Sequence, residues 1–229
     1  MNLGLVGYEE AWSLQRSIAA AVAQGAMPDT VLFLEHPPVV TLGRRTGEDE
    51  LHLPEDADVK LVETDRGGKS TFHGPGQLVC YPIFDLNRHG RDVKRYCRDL
   101  EESIAQTLQA FALEGTRIDG LTGIWILDPP RKIASIGVHV SRWVTTHGYA
   151  LNVDLDPAPF TDWITACGLE DAAFTTMARE LGRPLSVDDV RPAAATAIAE
   201  VFGLELEELP AGEGPGLWPQ PRHEQLARH

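Results

Sequence analysis

One cysteine of this 229-residue chain lies where its side chain could form a covalent bond to a substrate. Cys167 is found in the stretch TACGL, after a short apolar segment and before a glycine, so a turn is expected to expose its thiol. Cys80 lies in an apolar strand-like run and Cys97 in a predicted helix, and both are typical packing residues. Cys167 is therefore the candidate nucleophile, although a structural role is the commoner one for a cysteine.

The candidate thiol needs a partner that removes its proton. An ordinary cysteine has a pKa of about 8.5, and lowering it by about 1.5 units takes roughly 2 kcal/mol, which one lysine or histidine can supply. His73 or His147 would form a cysteine–histidine pair, whereas Lys132 would form a cysteine–lysine pair. Lys132 precedes the apolar stretch IASIG, and apolar neighbours favour the neutral amine that accepts a proton. The alternative for Lys132 is an exposed lysine at a strand edge.

A glycine-rich segment, RGGKSTFHGPGQ at residues 66–77, precedes the apolar run from Leu78 to Phe84. Glycine permits positive φ angles and a close approach to the main chain, so the segment predicts a loop around a ligand, followed by a core strand. It matches neither the P-loop nor the dinucleotide-binding spacing of glycines. Arg66, Lys69 and free backbone amides could hold a polar or anionic arm; the alternative is an ordinary turn with a surface histidine at position 73.

Composition restricts the class of protein. A formal net charge of −14 argues against general binding to nucleic acid or to an anionic membrane surface, since both would be repelled. Three cysteines are too few for a disulfide framework and favour a reducing compartment, so a cytoplasmic protein is expected. CxxC and HExxH motifs are absent from the sequence, which argues against a zinc site.

Residues 88–98 carry a local charge of +4 within this acidic chain. If a helix begins there, four basic residues share one of its faces, namely Arg91, Lys94, Arg95 and Arg98. A solvated helix face is the simpler interpretation. The alternative is a docking stripe for an acidic protein.

Hydrophobic spacing predicts a mixed series of helices and strands. In the first two thirds of the chain we expect strands at 3–6, 30–36, 39–43, 59–64, 78–84, 123–127, 132–141 and 143–153, and helices at 9–22 and 92–113. Pro37 and Pro38 separate the second and third strands, and Ser141 and Arg142 form a tight connection between the last two.

The last third of the chain is predicted to be helical. TDWITACG begins a short helix, DAAFTTMAREL forms a second that ends at Gly182, and a capping box of Ser186 and Asp189 starts a third that ends at Gly203. Residues 210–229 are rich in proline and glycine and predict a mobile tail. The sum is one α+β domain over residues 1–209, with a mixed or antiparallel sheet and packed helices.

Several motifs together resemble one family. EHPPVVTLGRR, RGGKSTFHGPGQ, KIASIGVHVSRWVTTHGYALNV and ACG follow one another in the order found in the octanoyltransferases of lipoyl-cofactor synthesis, also called lipoate-protein ligase B. The resemblance covers nearly the whole chain before about Leu209. It implies the catalytic-domain fold of the biotin and lipoate protein ligases, with Cys167 as the acyl-thioester nucleophile and Lys132 as the residue that lowers the pKa of its thiol.

The resemblance also implies the walls of an acyl pocket. They are the glycine loop (Arg66, Gly67, Gly68, Lys69, Ser70, Thr71, Phe72 and His73), a turn of Ser135, Ile136 and Gly137, and a turn of Gly148, Tyr149 and Ala150. The glycines are expected to leave space for a saturated chain and to offer amides to a thioester carbonyl. The chain has Phe72 where tyrosine is common in the family and His139 where arginine is common, which affects only pocket details.

The implied reaction has two protein partners and no metal or cofactor. The donor would be octanoyl-acyl carrier protein, and the acceptor an apo lipoyl domain of a 2-oxoacid dehydrogenase or the H protein of glycine cleavage. A monomer is the default expectation, and the acidic net charge argues against nucleic acid and membrane as partners. Acyl carrier proteins and lipoyl domains are usually acidic, so a local basic patch is expected on the enzyme. It would include Arg44, Arg45, Arg66, Lys69, Arg142 and the stripe of Arg91, Lys94, Arg95 and Arg98. The alternatives are an ATP-dependent lipoate or biotin ligase, a non-catalytic acyl or lipoyl-domain binder, and a thioesterase.

Overall fold

The computed structural model describes residues 1–47, 50–54, 57, 59–164 and 173–207. Their strands are β1 (Asn2–Leu5), β2 (Thr30–Glu35), β3 (Val39–Leu42), β4 (Lys60–Glu63), β5 (Thr71–His73), β6 (Gln77–Ile83), β7 (Thr116–Ile118), β8 (Leu121–Ile126), β9 (Arg131–Ser141), β10 (Val144–Asn152) and β11 (Ala173–Phe174). The helices are α1 (Tyr8–Ala23), α2 (Val93–Gln109), α3 (Pro159–Asp162), α4 (Met177–Leu181) and α5 (Val187–Phe202).

The strands form two sheets. The larger has the order β1-β2-β6-β10-β9-β8-β7, with β11 added alongside β9, and the smaller has the order β4-β3-β5. Most neighbours in the large sheet are antiparallel, while β1 with β2 and β11 with β9 are parallel. The predicted α+β architecture with a mixed sheet is confirmed.

Helices cover both faces of the large sheet, which is why its strand β6 is buried along its whole length. Leu78 and Cys80 point into the core formed with α2 and α5, whereas Val79 and Tyr81 point into the core formed with α1. Alternation along a strand sends successive side chains to opposite faces, so both sets are buried. The predicted packing role of Cys80 agrees with its complete burial.

Local end signals agree with the structure at several helices. Ser186 and Asp189 form the predicted capping box, and α5 ends at Gly203 in the left-handed conformation. Helix α4 likewise ends at Gly182. The helix predicted over residues 92–113 ends earlier, at Gln109.

One predicted helix was partly wrong. The described part of the segment DAAFTTMAREL begins with strand β11, and only its second half is helical, as α4. Phe174 pairs with Lys132 of β9 and stacks on Phe160 at a centroid distance of 4.4 Å. These partners are distant in sequence, so the local apolar spacing could not reveal them.

A long β9–β10 hairpin carries many of the candidate site residues. Its turn consists of Arg142 and Trp143, whose φ angles are +50° and +67°, one residue later than predicted. Two positive φ angles match the twist of the flanking strands. The hairpin register places Gly137 opposite Gly148 and Ser135 opposite Ala150.

The short helix predicted to begin in TDWITACG, residues 161–168, overlaps α3 only at Thr161 and Asp162; Trp163 and Ile164 are not helical, and residues 165–168 lie outside the described part of the chain. The tail predicted from residue 210 also lies outside it. No helix within the described ranges is long and apolar enough to span a membrane.

Candidate active site

A cavity of about 350 Å³ lies between the glycine loop, the β9–β10 hairpin, α2 and the β7–β8 connection. Most of the predicted substrate-binding residues line it, and so does the candidate catalytic residue Lys132. They are Arg66, Gly67, Gly68, Lys69, Ser70, Thr71, His73, Lys132, Ser135, Ile136, Gly137, Gly148, Tyr149 and Ala150. Tertiary folding thus brings three segments that are far apart in sequence to one cavity.

Phe72 is not among the residues that line the cavity. It is buried in a separate core, with its ring edge-on to Phe160 at 5.8 Å and to Trp163 at 5.6 Å. Its neighbours Thr71 and His73 line the cavity, because alternate side chains of β5 face opposite ways. Phe72 therefore anchors the glycine loop to this separate core and does not contact the cavity.

The two predicted turns are strand interiors. Residues 135–137 lie in the middle of β9, and residues 148–150 lie opposite them in β10. Short glycine-containing stretches look like turns when they are read alone. The cavity wall on this side is therefore a regular, hydrogen-bonded sheet.

The glycines of this wall are required by close packing of the main chain. A Cβ at Gly148 would overlap the carbonyl oxygen of Cys80, and a Cβ at Gly137 would lie 3.0 Å from the carbonyl oxygen of Gly67. The amide of Gly67 also donates a 2.9 Å hydrogen bond to Val138. The space beside these two glycines is thus filled by protein, which corrects the expectation that they leave room for a substrate chain.

Arg66 holds the glycine loop together from inside. Its side chain is buried and its guanidinium donates to the carbonyl oxygen of Thr41 at 2.8 Å, to Oγ1 of Thr41 at 2.7 Å and to the carbonyl oxygen of Lys69 at 2.7 Å. The amine of Lys69 forms an ion pair with Glu50. Arg66 is therefore not part of a basic surface patch, contrary to the expectation from the sequence.

Lys132 is buried beside the cavity, with only 3% of its surface exposed. Its Nζ lies 5.5 Å from the centroid of the Trp125 ring, within the range of a cation–π contact. The alternative of an exposed lysine at a strand edge is wrong, since β8 and β11 both pair with β9 there. Cys167, the candidate nucleophile, lies outside the described residues.

Gly123 provides the space for the Lys132 side chain, a role that was not predicted from the sequence. Its φ angle is +109°, and a Cβ at this position would lie 2.8 Å from Cε of Lys132. The available signal was a glycine inside the strand pattern GIWIL, which often marks a close approach by another group.

Replacing Gly123 with alanine is expected to displace the Lys132 amine and to lower catalytic activity by about 10- to 100-fold. A left-handed φ also strains any residue with a Cβ, so a fall in melting temperature should accompany the loss. Turnover and thermal unfolding of the variant would be measured together. An alanine variant with wild-type turnover would show that the lysine position tolerates this displacement.

The candidate histidines occupy different surroundings. His147 is 1% exposed and its Nε2 donates to Oδ1 of Asp65 at 2.8 Å, while Tyr8 donates to its Nδ1 at 3.3 Å. It is not among the residues lining the cavity, whereas His73 is. The geometry therefore leaves His73 as the histidine that faces the same cavity as Lys132.

His73 and His147 belong to a buried aromatic cluster with His36, Tyr8 and Tyr81. Burial lowers the pKa of all three histidines: to about 4 for His36, well below 6.5 for His73, and below 6.5 for His147 despite the opposing effect of the hydrogen bond that His147 donates to Asp65. All three rings are consequently neutral at neutral pH.

Because of these three buried histidines, the free energy of unfolding is expected to fall in mild acid. Each histidine titrates near pH 6.5 in the unfolded chain but at lower pH in the folded protein, so the unfolded state binds more protons below pH 6.5. His36 alone should lower the free energy of unfolding by roughly 2 kcal/mol between pH 7.5 and pH 5. Urea unfolding at both pH values measures the loss, and a His36→Gln variant should show a smaller one. Equal stability at the two pH values would contradict the expectation.

The basic stripe differs in detail from its prediction. Arg91 precedes α2 with a φ angle of +55°, and its guanidinium lies 5.1 Å from the centroid of the Trp143 ring. Lys94, Arg95 and Arg98 are exposed on α2, and Cys97 of the same helix lines the cavity. The exposed basic side chains thus share α2 with a residue that lines the cavity, and Arg45 lines the cavity on the loop side.

Comparison with known proteins agrees with this arrangement. Residues 7–199 match the family described as the lipoyl protein ligase A/B catalytic domain. The chain belongs to this family. It is 52% identical to an octanoyltransferase of Mycobacterium tuberculosis (strain H37Rv) over 215 residues, covering 93% of this chain and 89% of the relative. It is 46% identical to an octanoyltransferase of Chloroflexus aurantiacus (strain J-10-fl) over 209 residues, covering 89% and 93%. The resemblance inferred from the sequence is confirmed, and the chain is an acyltransferase.

Solved structures of lipoate protein ligases share the fold. A lipoate-protein ligase A bound with ATP matches with a TM-score of 0.76 at 15% identity, covering 91% of this chain and 85% of that one. The bipartite lipoate protein ligase of Thermoplasma acidophilum matches with a TM-score of 0.71 at 16% identity, covering 90% and 85%. The expected lipoate-ligase fold is thereby confirmed. Within the described residues, no group of three or more histidine, cysteine, aspartate or glutamate side chains could hold a metal ion.

Proposed function

We propose that the protein transfers an octanoyl group from octanoyl-acyl carrier protein to a lysine of an apo lipoyl domain, through a thioester on Cys167. The observation that carries the proposal is the buried amine of Lys132 beside a cavity lined by the family's motif residues. Lipoyl domains of 2-oxoacid dehydrogenases and the H protein of glycine cleavage are the acceptors of matching chemistry.

The first half-reaction would exchange one thioester for another. The thiol of Cys167 gives its proton to Lys132, and the resulting thiolate attacks the octanoyl carbonyl. A carbon–sulfur bond to Cys167 forms, the bond to the phosphopantetheine sulfur breaks, and Lys132 returns the proton to that leaving sulfur. The exchange is nearly balanced in free energy, so it needs no ATP.

The second half-reaction would form an amide. The neutral amine of the acceptor lysine attacks the enzyme thioester, a carbon–nitrogen bond forms and the bond to Cys167 breaks. Lys132 takes the proton from the amine and passes it to the departing Cys167 sulfur. Conversion of a thioester to an amide drives this step.

The cavity has the composition that an acyl chain requires. Trp125, Leu121, Ile136 and Val138 supply apolar surface, while Lys69, Ser70 and His73 of the glycine loop supply polar groups. Its volume of about 350 Å³ is within the usual range for small-ligand sites. Apolar walls with a few fixed polar groups suit a saturated chain that ends in a reactive carbonyl.

The proposal is tested by intact-mass measurement of the full-length protein after incubation with octanoyl-acyl carrier protein, without ATP. We expect one octanoyl adduct, which then moves to an added apo lipoyl domain. A requirement for ATP and Mg²⁺ would indicate a ligase. Release of free octanoate without an acceptor would indicate a thioesterase, and absence of an adduct would indicate a binding protein.

Basic residues near the cavity should speed the encounter with an acidic carrier protein. Replacing Lys94 and Arg95 with glutamate is expected to slow acylation by roughly 10-fold at low salt and by less at 0.5 M salt, because salt screens exposed charges. Stopped-flow or quenched acylation at several salt concentrations measures the effect.

A matched control changes the same amount of charge elsewhere. Lys60 and Arg183 are also exposed, but they lie on β4 and directly after α4, which contribute no residue to the cavity lining, whereas α2 contributes Cys97. Their double glutamate variant should therefore slow acylation much less. Equal acylation rates for the two double variants would show that the α2 stripe does not contribute to docking of the carrier protein.

A further inference from the structure

A buried chain of hydrogen bonds connects His73 to the backbone of Lys132. The Thr175 amide donates to the carbonyl oxygen of Lys132 at 3.0 Å, and Nδ2 of Asn152 donates to the carbonyl oxygen of Thr175 at 3.1 Å. Nε2 of Gln77 donates to Oδ1 of Asn152 at 3.0 Å, and Oε1 of Gln77 lies 2.7 Å from Nδ1 of His73. All the side chains that form these bonds are buried.

The direction of this chain determines which nitrogen of His73 carries the proton. A backbone carbonyl can only accept, so Asn152 must present Nδ2 to Thr175 and Oδ1 to Gln77. Gln77 must then present Nε2 to Asn152 and Oε1 to His73, an orientation supported by a second bond from Nε2 to the carbonyl oxygen of Phe72 at 3.4 Å. Since Oε1 only accepts, Nδ1 of His73 is protonated and Nε2 carries the lone pair.

The rest of the His73 ring is packed on other sides. Tyr8 stacks on it at a centroid distance of 5.8 Å, and His36 meets it edge-on at 5.6 Å. Because Gln77 occupies the Nδ1 edge, the polar atom left to face the cavity is Nε2, to which no described residue forms a hydrogen bond. Burial lowers the pKa of His73 well below 6.5, so Nε2 remains an acceptor at neutral pH.

Only one reactant of the proposed function has an N–H group on its reacting atom. The octanoyl chain has no hydrogen-bond donor and the thioester carbonyl can only accept, whereas the attacking lysine amine carries N–H groups on the nucleophilic nitrogen. An acceptor that holds one of these N–H groups leaves the nitrogen lone pair free to attack.

We propose that Nε2 of His73 accepts a hydrogen bond from the amine of the acceptor lysine and orients its lone pair toward the acyl carbonyl. The inference rests on the proposed function. His73 gains no proton in this role: the amine proton still passes to the Cys167 sulfur, and the bonds formed and broken are unchanged. His73 is thus a substrate-positioning residue of the second half-reaction.

His73→Asn provides the test, because the asparagine amide can still donate to Gln77 while the Nε2 acceptor is removed. The two half-reactions would be measured separately with full-length protein: octanoyl loading from octanoyl-acyl carrier protein, and single-turnover transfer from the loaded enzyme to an apo lipoyl domain. We expect loading within about twofold of wild type and transfer slowed by about 10- to 100-fold. Equal slowing of both steps, or normal transfer, would overturn the inference.

His36→Asn is the matched control. His36 also donates from Nδ1, to the carbonyl oxygen of Val6 at 2.7 Å, and its Nε2 accepts from the hydroxyl of Tyr81 at 2.7 Å. It does not line the cavity, so its variant should keep the wild-type ratio of the two rates. If His73→Asn is poorly folded, His73→Gln serves instead: it restores an acceptor near Nε2 and should transfer faster than His73→Ala, and equal rates for those two variants would overturn the inference.

Failure of this inference is distinguishable from failure of the proposed function. A wild-type enzyme that never acquires an octanoyl group would refute the function itself. A wild-type enzyme that loads and transfers normally, together with a His73→Asn variant that does the same, would refute only the role of His73.

Discussion

Cys167→Ala is expected to abolish the octanoyl adduct and to lower transfer to lipoyl domains by roughly 10⁴-fold or more. The reason is that the acyl group would have no covalent attachment point, and direct attack by the acceptor lysine on the carrier thioester would require both proteins at one cavity. Intact mass after incubation with octanoyl-acyl carrier protein measures the adduct, and a discontinuous transfer assay measures the rate.

Cys97→Ala is the informative comparison, because Cys97 also lines the cavity. Burial raises the pKa of the Cys97 thiol, with a further contribution from the nearby Glu101 carboxylate, so this thiol is protonated at neutral pH and a poor nucleophile. The Cys97→Ala protein should still acquire one octanoyl group. If the adduct persisted in Cys167→Ala and was absent in Cys97→Ala, the nucleophile would be Cys97 of α2 and not Cys167.

Lys132→Met is expected to slow both half-reactions by about 10²- to 10⁴-fold at pH 7, the usual contribution of a general acid–base group. Methionine retains an apolar stem of similar length beside Trp125 and removes only the amine. The loading rate of the variant should rise by up to about 10-fold per pH unit between pH 7 and 8.5, because an unassisted thiol ionises in that range. Loading rates from pH 6.5 to 9 would be compared with those of wild type.

Lys132→Arg separates charge stabilisation from proton transfer. Arginine keeps a positive charge but does not release a proton at accessible pH, so it can stabilise a thiolate without acting as a base. We expect the arginine variant to load faster than Lys132→Met yet to remain slow in transfer. If Lys132→Ala loaded normally while His73→Ala failed to load, the base would have to be reassigned to His73.

Local patterns were sufficient for most of the element boundaries and for the family. The capping box at Ser186, the left-handed glycine at position 203 and the pair of prolines after β2 act within a few residues, so their effects can be inferred from neighbouring letters. Long motifs such as KIASIGVHVSRWVTTHGYALNV identified the family for the same reason, because their residues are contiguous in the sequence. The candidate residues Lys132 and His73 were found in this way.

Long-range contacts determined the surroundings of those residues. Three contacts depend on segments that are distant in sequence: the parallel pairing of Phe174 with Lys132, the packing of Lys132 beside Gly123, and the buried hydrogen bonds of Arg66 to Thr41. The local hydrophobic periodicity therefore could not predict them. The tautomer of His73 likewise depends on the backbone carbonyl of Thr175, about a hundred positions away, because hydrogen-bond direction is set only when donor and acceptor meet in the folded chain.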